Sequence, residues 1–150
     1  MSTLLKNAVL LDANWNNVPM DILVEGRTIA ALGKDLGPAD VTIDLSGDTV
    51  LPGFIDAHVH VAVDDNTFKE DAIRAWAHNG VTTVRELGML SQLPQKDYAE
   101  WIQKVNQQPE TAKVIATGKY IDVAGGYGAG PNPNHPVGNL VTTPEEAADA

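Results

Sequence analysis

Leu51-Pro52-Gly53-Phe54-Ile55-Asp56-Ala57-His58-Val59-His60 reads as a buried strand ending in two histidines. Side chains alternate across a strand, so His58 and His60 are predicted to share a face, with Asp56 and Phe54 beneath them. Ile55, Ala57, Val59 and Val61 then form an apolar opposite face. Two imidazoles one pleat apart can bind one metal ion, or help bind a pair, if other elements supply further ligands. Zinc or a similar divalent ion is the natural guest. As a bare His-x-His the pair is a weak signal, and structural or surface histidines are the commoner reading. The surrounding sequence decides.

Upstream, residues 1–50 look all-β. Residues 4–11 are an apolar-rich strand. Residues 21–24 and 27–30 read as a hairpin, with Gly26 supplying the positive φ of a tight turn. Residues 41–45 form a third short strand, followed by a Ser46-Gly47-Asp48 turn. Asn14, Asn16, Asn17 and Pro19 are expected to fill the first connection.

Downstream the pattern changes to strand, helix, strand, helix. Thr67-x-x-Glu70 has the spacing of a capping box. Phe68, Ala72, Ile73, Trp76 and Ala77 fall on one helical face, and Asn79-Gly80 ends the helix. A β-branched strand lies between Gly80 and Gly88. The next helix is predicted over 95–106, with Tyr98, Trp101, Ile102 and Val105 inward, and the next strand over 113–118. Residues 124–141 read as a long Gly/Pro-rich loop of the kind that is functional or disordered. Thr143-Pro144-Glu145-Glu146 is a well-formed helix start, so the chain is expected to continue beyond Ala150.

Repeated strand–helix units imply parallel strands with right-handed crossovers. The expected fold class is α/β. Residues 1–50 would be part of a small β-sandwich, and residues 51–150 the first three βα units of an incomplete (β/α)8 TIM barrel. The simpler alternative is a small open α/β sheet complete in itself.

A net charge of −10 argues against a nucleic-acid partner or an anionic membrane, since both reward clustered Lys and Arg. The chain contains no cysteine, which excludes disulfides, thiolate zinc sites and a cysteine nucleophile. The N-terminus lacks a secretory pattern, and no run of about 18 apolar residues occurs, so a cytoplasmic location is the default.

The Pro-Gly-x-Ile-Asp-x-His-x-His strand, the β-rich start, Gly80-Val81-Thr82-Thr83-Val84-Arg85-Glu86-Leu87-Gly88 and the Thr143-Pro144-Glu145-Glu146 helix start together resemble the metal-dependent amidohydrolase superfamily. The likeness is greatest to its amidohydrolase and imidazolonepropionase-like members. It implies that His58 and His60 are metal ligands and that Asp56 sits behind them, its carboxylate helping to orient one. It also implies one or two divalent ions, most simply Zn2+, and hydrolysis of an amide or cyclic amide C–N bond by metal-activated water. The general base and the remaining ligands would come from later strands, so this chain alone is expected to be inactive.

In many relatives the loop after the third strand reads Gly-Gly-His-Gly, whereas this chain has Gly125-Gly126-Tyr127-Gly128. Tyr127 and His135 are therefore candidates only for lining a substrate pocket. These glycines match no nucleotide-binding motif. His78 reads as a helix-end residue, and Trp76 and Trp101 as core. Arg85 and Glu86 must face opposite ways, either as a structural ion pair or with one of them approaching the site. The expected partner is a small-molecule amide, with homo-oligomerisation open. The rival readings are a non-catalytic binding or assembly module on the same fold, a two-histidine metal-binding protein, and a dipeptidase-type member of the superfamily.

Overall fold

The structure, a computed structural model, describes residues 1–46, 48–61, 68–88, 94–127 and 138–150. Two compact units meet between Pro52 and Gly53. The first holds β1 (Ser2–Leu11), β2 (Asn17–Glu25), β3 (Thr28–Gly33), β4 (Val41–Asp44) and β5 (Thr49–Val50). They form one sheet in the order β3-β2-β1-β4, with β5 also on β1. β2 runs antiparallel to both β1 and β3, while β4 and β5 run parallel to β1.

The predicted hairpin is present, and Gly26 has φ +60. The first connection is tighter than the sequence suggested. Asp12 accepts hydrogen bonds from the Asn14 and Asn16 backbone amides and from Asn16 Nδ2, which closes the turn before β2. Asn17 and Pro19 consequently belong to β2, where Pro19 lies opposite Val9. β1 bulges between Leu5 and Ala8 at Asn7, which has φ +56. The Asn7 backbone N–H donates to the buried Asp21 (2.9 Å) and its side chain to Asp44 (2.9 Å), so a bond to a carboxylate replaces the interrupted ladder. Leu10, Ile22, Ile29, Leu32, Val50 and Pro52 line an apolar groove within this unit.

The second unit holds β6 (Phe54–Val59), α1 (Glu70–His78), β7 (Val81–Glu86), α2 (Gln95–Val105), β8 (Lys113–Ala116), β9 (Ile121–Val123), β10 (Asn139–Val141) and α3 (Pro144–Asp149). β6, β7 and β8 make a parallel sheet in sequence order, and β9 and β10 a separate parallel pair. The helices pack as their apolar stripes predict. Ile73, Tyr98, Trp101 and Val105 join Val59, Val61, Val84 and Val114 in one core, with Phe68, Trp76 and Ile102 against it. Phe68 stacks on Trp101 with ring centroids 4.4 Å apart.

Four expectations need correction. First, α1 begins at Glu70 with Lys69 as its N-cap and no side-chain cap, so Glu70 is not the third residue of a box; Thr67 lies outside the described residues. Glu70 instead accepts from Trp101 Nε1 (3.2 Å), which ties α1 to α2. Second, residues 139–141 of the predicted loop form β10, paired with the equally short β9. Third, Arg85 and Glu86 form no ion pair with each other; Arg85 is exposed, while Glu86 is buried and approaches His60, the other of the two roles open to this pair.

The fourth concerns β6. Asp56 lies opposite Val84 and Val59 opposite Glu86, so β6 carries one residue more than β7 across that interval. This bulge breaks the simple alternation on which the sequence reading relied. Val59 and Val61 are buried as expected, but Ile55 is 69% exposed and Ala57 is exposed too. At the other end of the unit, α3 has the predicted cap: Thr143 Oγ1 accepts from Glu146 N, Glu146 reaches back to the Thr143 backbone, and Pro144 opens the helix.

Candidate metal centre

The site is assembled where β6 and β7 end side by side. His58 lies within the β6 bulge and His60 just beyond it, with rings edge to face and centroids 5.4 Å apart. Two imidazoles on one tetrahedral ion with Zn–N bonds of about 2.1 Å place their ring centroids about 5 Å apart, so the observed spacing suits a shared ion. Asp56 accepts from the backbone N–H of His58 (3.2 Å); its orienting contact falls on the main chain rather than on either ring.

The residue whose role the sequence left undecided is Glu86, fully buried at the end of β7. One carboxylate oxygen accepts from the Gly88 backbone N–H (3.0 Å) and lies 3.2 Å from His60 Nδ1. The other accepts from the Val61 backbone N–H. His60 Nδ1 is also 3.1 Å from the Gly88 carbonyl oxygen. Burial raises the Glu86 carboxyl above the ordinary carboxylate range, while the Val61 amide, His60 and the Gly88 amide pull it back. A sequence signal for this residue existed: a glutamate closing a β-branched strand just before a glycine has to be either exposed or provided with partners.

Gly88 makes the arrangement possible. Its φ is +141, and a Cβ there would sit 2.2 Å from the Tyr120 ring. Tyr120 covers this turn, its ring centroid 6.3 Å from that of His60. Burial raises the Tyr120 phenol, helped by nearby Tyr127 and Glu86. Tyr127 is 77% exposed and meets Tyr120 edge-on at 6.1 Å. His135 lies outside the described residues. His78 sits in the last turn of α1, beside an open groove with Arg74, Asn79, Pro109 and Glu110. Among the described residues, no three His, Cys, Asp or Glu side chains converge as a metal cluster. The site is thus a pair of neighbouring imidazoles with the Glu86 carboxylate against one of them.

No family model matches the chain. It is 35% identical over 120 residues to the dihydroorotase of Bacillus subtilis (strain 168), a match covering 77% of this chain and 28% of that protein. It is 40% identical over 94 residues to the allantoinase of Escherichia coli (strain K12 / DH10B), covering 61% of this chain and 20% of that protein. Among solved structures, a prolidase complexed with N-methylphosphonate-L-proline superposes with a TM-score of 0.74 at 20% identity, covering 97% of this chain and 41% of that one. The chain therefore spans less than a third of the length of the curated relatives it matches. A strand-rich unit leading into parallel βα units is the start of a β/α-barrel hydrolase fold. The chain is thus similar, over part of their length, to hydrolases of the metal-dependent amidohydrolase superfamily.

Proposed function

We propose that this chain supplies the first two ligands, His58 and His60, of a divalent-metal site, Zn2+ foremost, in a hydrolase of amide or cyclic amide C–N bonds other than peptide bonds. The observation that carries the reading is the histidine pair at the end of β6, spaced for one ion and braced through His60 Nδ1. A bound divalent ion supplies Lewis acidity and lowers the pKa of water. This chain's residues hold and orient it: His58 and His60 donate ring nitrogens, Asp56 fixes the His58 backbone, and Glu86 and Gly88 fix the His60 ring. Tyr127 and His135 are proposed on the substrate side, His135 on its sequence position alone. No residue here is assigned as general base. With two ligands only, these 150 residues by themselves are proposed to hold the ion weakly and to be inactive.

Dihydroorotase and allantoinase are named for substrates that are cyclic amides, and identities of 35% and 40% support that class for this chain. Dipeptide cleavage is the second reading; the prolidase likeness at 20% identity supports the fold beneath it. We place the first 50 residues in a partial β-sandwich and the remainder in three βα units. A cytoplasmic location and a small-molecule amide partner complete the proposal; among the described residues no helix is long and apolar enough to cross a membrane.

Zn2+ calorimetry tests the ligands, and hydrolysis of dihydroorotate, allantoin and an Xaa-Pro dipeptide by the intact protein tests the reaction. His58→Ala and His60→Ala are each expected to weaken Zn2+ binding by more than the roughly 10–100-fold typical of losing a residue behind a ligand. Unchanged binding in both variants would sink the ligand assignment. Zn2+ binding without turnover of any amide would favour the non-catalytic module.

A further inference from the structure

Building on the reading of His60 as a ligand, we propose that Glu86 and the Gly88 carbonyl are positioning groups that lock His60 in its Nδ1–H tautomer, leaving Nε2 open to a cation. Nδ1 lies 3.2 Å from a Glu86 carboxylate oxygen and 3.1 Å from the Gly88 carbonyl oxygen. The Gly88 carbonyl can only accept, and the ionised Glu86 carboxylate accepts as well, so the ring nitrogen between them is the one that carries the proton. In water a free neutral imidazole prefers the opposite tautomer, so the protein is setting this choice.

The two acceptors are themselves immobilised. Glu86 is fully buried, and its two oxygens are fastened by the Gly88 and Val61 backbone amides, so the carboxylate has no freedom to swing away. The Gly88 carbonyl belongs to a turn with φ +141 that is capped by the Tyr120 ring. Register brings the parts together, because Val59 is paired with Glu86 across β6 and β7. A merely structural Glu86 would tie Val61 to Gly88 and leave the imidazole tautomer free. That difference is measurable.

The test is long-range 1H–15N correlation of the histidine rings in the metal-free full chain at about pH 8.5, above the ordinary histidine range. The expected result is a His60 ring protonated at Nδ1, with Glu86→Gln raising the Nε2–H population. That variant is also expected to weaken Zn2+ binding by roughly 10–100-fold. An Nε2–H tautomer in the unsubstituted protein overturns the proposal, and so does a Glu86→Gln variant that lowers the urea midpoint but changes neither the tautomer nor Zn2+ binding. If Glu86→Gln does not fold, the wild-type spectrum decides alone. Added Zn2+ should shift His60 Nε2, whereas a shift confined to Nδ1 would overturn the proposal. If Zn2+ moves neither nitrogen, the ligand assignment fails, and the tautomer read without metal still decides this inference.

Discussion

In Met1–Pro52 the carboxylates that close turns and bridge strands lie mostly in water, whereas in Gly53–Ala150 one carboxylate, Glu86, is sealed inside the protein with its hydrogen-bond partners. Asp12 gathers the Asn14–Asn16 turn, Asp40 takes the Ser2 amide and hydroxyl, and Asp44 takes the Asn7 side chain and Ser46. Hydrogen bonds to the charged form hold all three below the ordinary carboxylate range: from Asn16 for Asp12, Ser2 for Asp40 and Ser46 for Asp44. For Glu86 desolvation dominates and the direction reverses. The apolar groups differ too. The first unit leaves a groove of Leu, Ile and Val open, while the second closes an aromatic and valine core around α1 and α2. A small sheet can be stitched by solvated polar bonds. A site requires buried ones, since only there does a bond fix a ring without competition from water.

The largest expected effect lies in the second core. Trp101→Ala removes a ring that stacks on Phe68 and bonds Glu70, and should cost about 3–5 kcal/mol by urea denaturation followed by far-UV circular dichroism. Amide exchange should quicken in α2 and β8 and remain as before in β1 and β2. An equal loss in both regions would break the contrast between the units.

Next comes a pair of glycines. Gly88→Ala forces a Cβ into Tyr120 at a φ of +141 and should destabilise by about 2–3 kcal/mol, whereas Gly26→Ala meets nothing within 4 Å and should cost about 1 kcal/mol for its left-handed backbone. Similar unfolding midpoints for the two variants would show that Tyr120 yields readily and that the Gly88 turn is not held as described.

The smallest effect is with pH. Asp12, Asp40 and Asp44 have folded pKa values below those of the unfolded chain, so their contribution is complete above the unfolded value of about 3.9 and disappears as pH falls through the folded values. Acidification from about pH 5 should therefore loosen the first unit, read as falling amide protection factors at Asn16, Asp40 and Ser46, relative to the intrinsic exchange rate at each pH. Asp44→Asn should flatten the profile at Ser46. A Ser46 profile identical in the variant would separate these hydrogen bonds from the acid response.

Local chemistry made much of the fold legible. Gly26 between two β-branched runs gave the hairpin, the spacing of Tyr98, Trp101 and Val105 gave the buried face of α2, and Thr143-Pro144-Glu145-Glu146 gave a cap that the structure reproduces. What escaped was set by distant partners. The pairing of β6 with β7 slips by one residue between Phe54 and Ile55 and slips back between Asp56 and Val59, which β6 alone does not encode. The three-residue strands β9 and β10 gain meaning only by pairing with each other across the residues between them. Glu86 could be narrowed to two roles, and the choice fell to the Val61 amide, which lies 25 residues earlier. At the site, the sequence displayed the two histidines while the brace behind them depended on the neighbouring strand.

The shared ends of β6 and β7 bear on how such a chain can be recombined. A βα unit is the natural piece to exchange or duplicate when barrels are assembled from parts. Here His60 is carried by one unit, while the groups that aim it, Glu86 and Gly88, are carried by the next. A breakpoint in the α1–β7 connection would transplant a histidine without its brace. The smallest portable form of this half-site is two consecutive units, running from Phe54 at least through Gly88.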